Sequence, residues 1–145
     1  MKQFTEFLND NNALNSCQFG FRNKHNTTHA IMNLLEYLSD AIENNEYTIA
    51  IFLDLKKAFD TVNHEILLQK LEHYGFRGTP LKLIKSYLTD RKQFVKVNNS
   101  LSNSSKITCG VPQGSILGPL LFILYINDLS HVSEFIRLIL SLIHI

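Results

Sequence analysis

The stretch Tyr47–Asp60, YTIAIFLDLKKAFD, decides how this sequence is read. Its opening run, YTIAIFL, carries no charge, proline or glycine and follows the polar break Asn44–Asn45–Glu46. A compact run rich in β-branched and aromatic residues predicts a buried strand ending near Asp54. An ionised carboxylate taken out of water is costly unless it is paired or holds a cation. Two readings of Asp54 therefore stand. It is an oxygen ligand for a hard ion such as Mg²⁺, or it caps a turn or pairs with Lys56 or Lys57.

Helical spacing surrounds that strand. Phe4, Phe7 and Leu8 predict a short amphipathic helix. Asn26–Thr27–Thr28 offers caps ahead of Ala30, Ile31, Leu34, Leu35, Leu38 and Ile42, which predicts a second helix. A third is predicted from His64 to Tyr74, stopped by Gly75. A fourth runs from Thr79, as cap, through Pro80 to about Leu88. QFVKVNN and SSKITCG flank a polar loop from Asn98 to Asn103 and suggest a hairpin. Helices mixed with a few strands make the class α+β, with helices backing a small antiparallel sheet.

Composition narrows the rest. The chain has 145 residues, 45% hydrophobic and 19% charged, which suits one domain or part of one. A net charge of +1 gives no global field toward nucleic acid, so any such affinity has to be local. Arg91, Lys92 and Lys96 form one basic patch, either a solvated strand face or a contact for nucleic-acid backbone. Cys17 and Cys109 stand apart with no CxxC, which argues against a zinc module and a disulfide framework. His25 and His29 have zinc-compatible spacing but no HExxH glutamate, and read as capping or solvent-facing residues. Glu6 and Asp10 interrupt the apolar N-terminus, so the chain reads as intracellular and not secreted. Ile116–Leu129 is apolar but broken well short of a membrane span, and FIRLILSLIHI near the C-terminus is also too short.

The second informative segment is Cys109–Leu129, CGVPQGSILGPLLFILYINDL. Gln113 sits between Pro112 and Gly114 in a tight turn followed directly by an apolar helix from about Pro119. Such a turn either presents amide groups to a ligand, with glycine permitting close approach, or simply caps a core helix.

In this order, the two segments resemble motifs A and B of the reverse transcriptases of non-LTR (LINE-like, jockey-like) retrotransposons. FLDLKKAFDTVNHEILLQKL resembles motif A, and GVPQGSILGPLLFILYINDL resembles motif B. Upstream, QFGFRNKHNTTHA resembles the QxGFR segment of the same family. The resemblance implies a partial right-hand polymerase palm with part of the fingers: fingers-side helices over residues 1–46 and palm over residues 47–145. It implies that Asp54 is the catalytic carboxylate holding two Mg²⁺ ions and that Leu55 offers a backbone oxygen to the metal. Phe59 would exclude a ribose 2′-hydroxyl, unless it is simply a core aromatic. Gln113 and Gly114 would lie beside the nucleotide sugar, and Arg22 near the template or nucleotide. Asp60 would be structural, bonding amides at the start of the next helix. The implied partners are an RNA template, a DNA primer and deoxynucleoside triphosphates, with two-metal phosphoryl transfer as the chemistry.

One family feature is missing. The acidic pair of motif C, usually within FADD or YADD, is expected after the YINDL helix, and SLIHI stands in its place. A frameshift, an early stop or a mis-assigned exon accounts for this most simply. A site with one carboxylate binds Mg²⁺ poorly, so this chain is expected to be inactive. The alternative is a non-catalytic palm remnant that binds RNA or a protein partner.

Overall fold

A computed structural model of the chain describes residues 2–133 and 136–141. The polypeptide divides into two units, Met1–Lys56 with Ile126–Ile145, and Lys57–Tyr125. Each is built around helices whose ends the sequence marks.

In the first unit, α1 (Lys2–Asp10) buries Leu8 completely. The second helix, α2 (Thr27–Glu43), begins where the Asn26 side chain accepts a hydrogen bond from the His29 amide at 2.9 Å. That satisfies one of the amide groups a helix start leaves unpaired. Ala30 and Ala41 are buried, while Ile31, Leu35 and Ile42 on the same helix stay exposed. After a 3₁₀ turn, Asn127–His131, Leu140 forms an isolated parallel bridge with Gln18. Phe135 and the final residues 142–145 of the FIRLILSLIHI segment lie outside the described residues.

The expected strand from Tyr47 to Asp54 does not form. No regular structure is present there, and its large apolar residues are 78–105% exposed. A strand is not a local structure, because its amide and carbonyl groups need a neighbouring backbone. Among the described residues none runs beside this segment.

The second unit holds most of the core. Its first helix, α3 (His64–His73), is capped by Asn63, whose side chain accepts from the Glu65 and Ile66 amides at 2.9 and 3.1 Å. Asp60 does not perform that expected role: it lies in a preceding 3₁₀ turn, Ala58–Thr61, too early in the chain to reach the open amides. The next helix, α4 (Thr79–Leu88), packs with α3. Its N-cap is Gly78 at φ +62°, so Thr79 is the first helical residue and not the expected cap. In α5 (Gly118–Ile126) the run Leu120–Leu124 is buried throughout. A helix apolar on all sides belongs inside a core. Val62, Leu67, Leu71, Phe76, Ile84, Leu88 and Val111 are buried in the same unit.

The strands form one exposed hairpin. β1 (Lys92–Gln93) pairs antiparallel with β4 (Ser105–Lys106), and β2 (Lys96–Val97) with β3 (Ser100–Leu101). The connection is the two-residue turn Asn98–Asn99, tighter than the loop to Asn103 expected above, with Asn98 at φ +52°. Asparagine tolerates that left-handed backbone. The class is α+β, but these two short ladders are solvated, and among the described residues no helix covers them.

Leu121→Ala should lower unfolding free energy by about 2–5 kcal/mol in urea titration. Ile51→Ala should change it by no more than about 0.5 kcal/mol, because that side chain already meets water.

Candidate functional site

In the second unit the segment after the expected strand is laced by hydrogen bonds to the segment before the glutamine turn. The chain passes Lys57 at φ +55° into the 3₁₀ turn Ala58–Thr61. The Phe59 carbonyl accepts from the Val111 amide at 2.8 Å, and the Val62 carbonyl from the Gly110 amide at 2.7 Å. Asn63 and Cys109 complete an antiparallel bridge. His64 Nε2 lies 2.8 Å from the Gly110 carbonyl oxygen. A carbonyl can only accept, so Nε2 carries the proton and donates.

Gly110 is required at this crossing for two reasons. Its φ of +87° is left-handed, and a Cβ would lie 2.8–3.0 Å from the Asp60 backbone. A side chain would therefore be strained and would push the two laced segments apart.

Beyond the lacing, Val111 is buried and the chain makes the turn Pro112–Gln113–Gly114–Ser115. The Ser115 amide donates to the Pro112 carbonyl at 3.4 Å, and the Ser115 hydroxyl donates to the same oxygen at 2.8 Å. Gly114 supplies φ +75° at the third position, as a turn of this kind demands. The Ser115 Oγ then accepts from the Gly118 amide at 2.9 Å, which caps α5. Gly118 admits no Cβ, since one would collide with the Pro112 carbonyl oxygen. Gln113 and Gly114 project into solvent from this braced turn. Phe59 is half-buried, its ring 4.8 Å from that of Phe122 on α5.

The first unit holds Asp54, Leu55 and Arg22. Asp54 and Leu55 are exposed on the irregular segment, and Asp54 pairs with neither Lys56 nor Lys57. Arg22 is half-buried and donates from Nη1 to the Asn15 carbonyl at 2.9 Å. Asn15 belongs to a network that sequence reasoning missed. Its amide donates to the Asn127 Oδ1 at 2.9 Å, and Asn127 Nδ2 donates to the Ala13 carbonyl at 2.7 Å. Asn127 is 6% exposed, so a polar residue inside an apolar helix terminus was the available signal. Nothing in the spacing of Asn15 or His64 pointed to its partner.

Among the described residues no three His, Cys, Asp or Glu side chains converge. Mg²⁺ demands several oxygen ligands in near-octahedral array. A single exposed carboxylate does not fit a two-ion site.

A family profile described as reverse transcriptase (RNA-dependent DNA polymerase) matches residues 1–137. This chain belongs to the reverse transcriptase family. It is similar to a probable RNA-directed DNA polymerase from transposon BS of Drosophila melanogaster, 37% identical over 127 residues, covering 88% of this chain and 14% of that protein. It is also similar to the RNA-directed DNA polymerase from mobile element jockey of the same organism, 38% identical over 117 residues, covering 81% of this chain and 13% of the relative. A weaker match, 34% over 79 residues, is to a retrovirus-related Pol polyprotein from type-1 retrotransposable element R2 of Popillia japonica, covering 54% of this chain and 13% of the relative. The chain thus spans about one seventh of the length of these two Drosophila relatives. No described helix is long and apolar enough to cross a membrane.

Two outcomes are expected. Gly110→Ala should destabilise the second unit by on the order of 1–3 kcal/mol in urea titration. His64→Ala should loosen the turn, read as faster amide exchange over residues 110–115, and His64→Gln, which keeps a side-chain N–H donor, should restore slow exchange. Separately, burial pushes the Cys17 thiol up from its ordinary value, opposed by a backbone hydrogen bond, the Ser130 hydroxyl and Arg22. Thiolate is the reactive form, so iodoacetamide followed by mass spectrometry should label exposed Cys109 before Cys17.

Proposed function

We propose that this chain is a palm-and-fingers segment of a retrotransposon RNA-directed DNA polymerase, and that alone it does not transfer nucleotides. Residues 1–46 are read as fingers-side and residues 47–145 as palm. The observation that carries the reading is the lacing of residues 59–64 to residues 109–111, which braces Phe59 and the Gln113 turn within one unit. Gln113 and Gly114 are assigned to the sugar of an incoming deoxynucleotide. Phe59, leaning on Phe122, has a backing that lets its ring act as a steric barrier to a 2′-hydroxyl. Asp54 is assigned as the catalytic carboxylate, with the Leu55 carbonyl beside it as a further oxygen donor, and Arg22 as a template or fingers contact.

Inactivity follows from the ligand set. The 145 residues contain no adjacent Asp pair, and Asp54 stands exposed with no second carboxylate beside it among the described residues. Family members use RNA templates and nucleotide substrates, and the family is generally Mg²⁺-dependent. A lone carboxylate leaves that requirement unmet.

The test is a graft. Primer extension on an RNA template by the isolated chain should give no template-dependent product with Mg²⁺ or Mn²⁺. A jockey-type polymerase carrying residues 1–137 in place of its own matching segment should extend the primer. In that chimera Asp54→Asn should reduce incorporation by at least about 10³-fold, as expected for loss of a charge-stabilising group at a reaction centre. Phe59→Ala should admit ribonucleotides. A chimera indifferent to Asp54→Asn would end the assignment.

A further inference from the structure

We propose that the segment Glu46–Lys56 pairs antiparallel with the same segment of a second copy of this chain, centred on Ile51. Among the described residues no backbone hydrogen bond is made over residues 47–55. A row of amides and carbonyls met only by water is a template for another backbone. The side chains decide which one. In an extended chain successive side chains point to opposite faces. Tyr47, Ile49, Ile51, Leu53 and Leu55 then share one face, all large, apolar and exposed in the single chain. Glu46, Thr48, Asp54 and Lys56 fall on the other. The segment thus has the alternation of a strand with one dry face.

Charge selects the direction and the register. The segment is acidic at Glu46 and basic at Lys56, and neither these two nor Asp54 has an ion-pair partner among the described residues. Parallel pairing in register would set Glu46, Asp54 and Lys56 each against its own copy, and like charges directly opposite are unfavourable. Antiparallel pairing about Ile51 sets Glu46 opposite Lys56 at both ends of the pair and Asp54 opposite the Thr48 hydroxyl. It also sets Ile49 opposite Leu53, so the dry faces of both copies lie on one side. A slip by one residue would put the dry face of one copy on the polar side of the other. The nearest registers that keep the faces together set Glu46 against Asp54 or take Lys56 away from Glu46. One patch that complements itself is what a two-fold dimer requires. Two such ribbons can then cover their apolar faces by stacking, as packed sheets do, which gives a tetramer. The inference does not rest on the polymerase reading.

The experiment is sedimentation equilibrium of the full 145-residue chain over a concentration series. The parent should pass from monomer to dimer and tetramer, half-associated on the order of 10–100 µM, as suits a small interface. Ile51→Lys sets two lysines face to face at the centre and should keep the chain monomeric throughout. Parent-like helical circular dichroism should accompany it, because Ile51 is exposed in the single chain. Glu46→Lys should weaken association about tenfold, and adding Lys56→Glu should restore it. Strand direction is read by cross-linking in a Cys17→Ser, Cys109→Ser background. Chains carrying Ile49→Cys and chains carrying Leu53→Cys should form disulfides with each other on mixing, and far less each with itself, since only opposed residues come within disulfide reach. A parent monomeric across the series, association indifferent to Ile51→Lys, or cross-linking of Ile49→Cys chains chiefly to themselves would overturn the proposal. The last result would point instead to parallel strands stacked in register.

Discussion

Where Gly110 crosses the Asp60 backbone, two lengths of chain fifty residues apart come too close for a side chain, and both belong to the second unit. Two backbone hydrogen bonds and the His64 ring hold the crossing closed. One side of it leads through Asn63 into α3, and the other through buried Val111 into the Gln113 turn and α5. Capping and core packing follow from the chain directions it imposes. The glycine is thus a packing constraint first, and its conformational freedom at φ +87° is what allows the constraint to be met.

Helices were legible because their determinants are local. Asn26, Pro80 and Gly75 punctuate apolar spacing within a few residues of the helix ends they mark, and the observed ends fall there or one residue away. The hairpin was legible for the same reason, although Asn98 turns the chain sooner than the polar run suggested. Tyr47–Asp54 misled because a dense apolar run states a preference for burial, not what will cover it. Strand pairing is decided by another part of the backbone, and among the described residues that part is absent. Asp60 misled differently: a carboxylate near a helix start resembles a cap, but Asn63 is closer to the open amides. For the candidate site, the Pro112–Gly114 turn and Asp54 could be picked out by residue type. The bracing by His64 and Asn127 could not, since their partners lie 46 and 114 residues away.

Family membership and chemical competence are separate matters in this chain. Three motifs in order are enough to place it among reverse transcriptases, and the profile spans 137 of its residues. A two-ion site asks for more: oxygen ligands held together in one place, and among the described residues no three His, Cys, Asp or Glu side chains converge. The second unit holds the braced Gln113 turn and Phe59 backed by Phe122, while in the first Asp54 lies exposed on a segment without regular structure.

Native-state hydrogen exchange of the Gly110 and Val111 amides bears most directly on the crossing from which the second unit is built. Both should exchange only as slowly as the buried helical amide of Leu67, through opening of the whole unit. Exchange at the rate of an exposed loop, with Leu67 still protected, would show that the crossing is open in solution and that the glutamine turn is not braced by it.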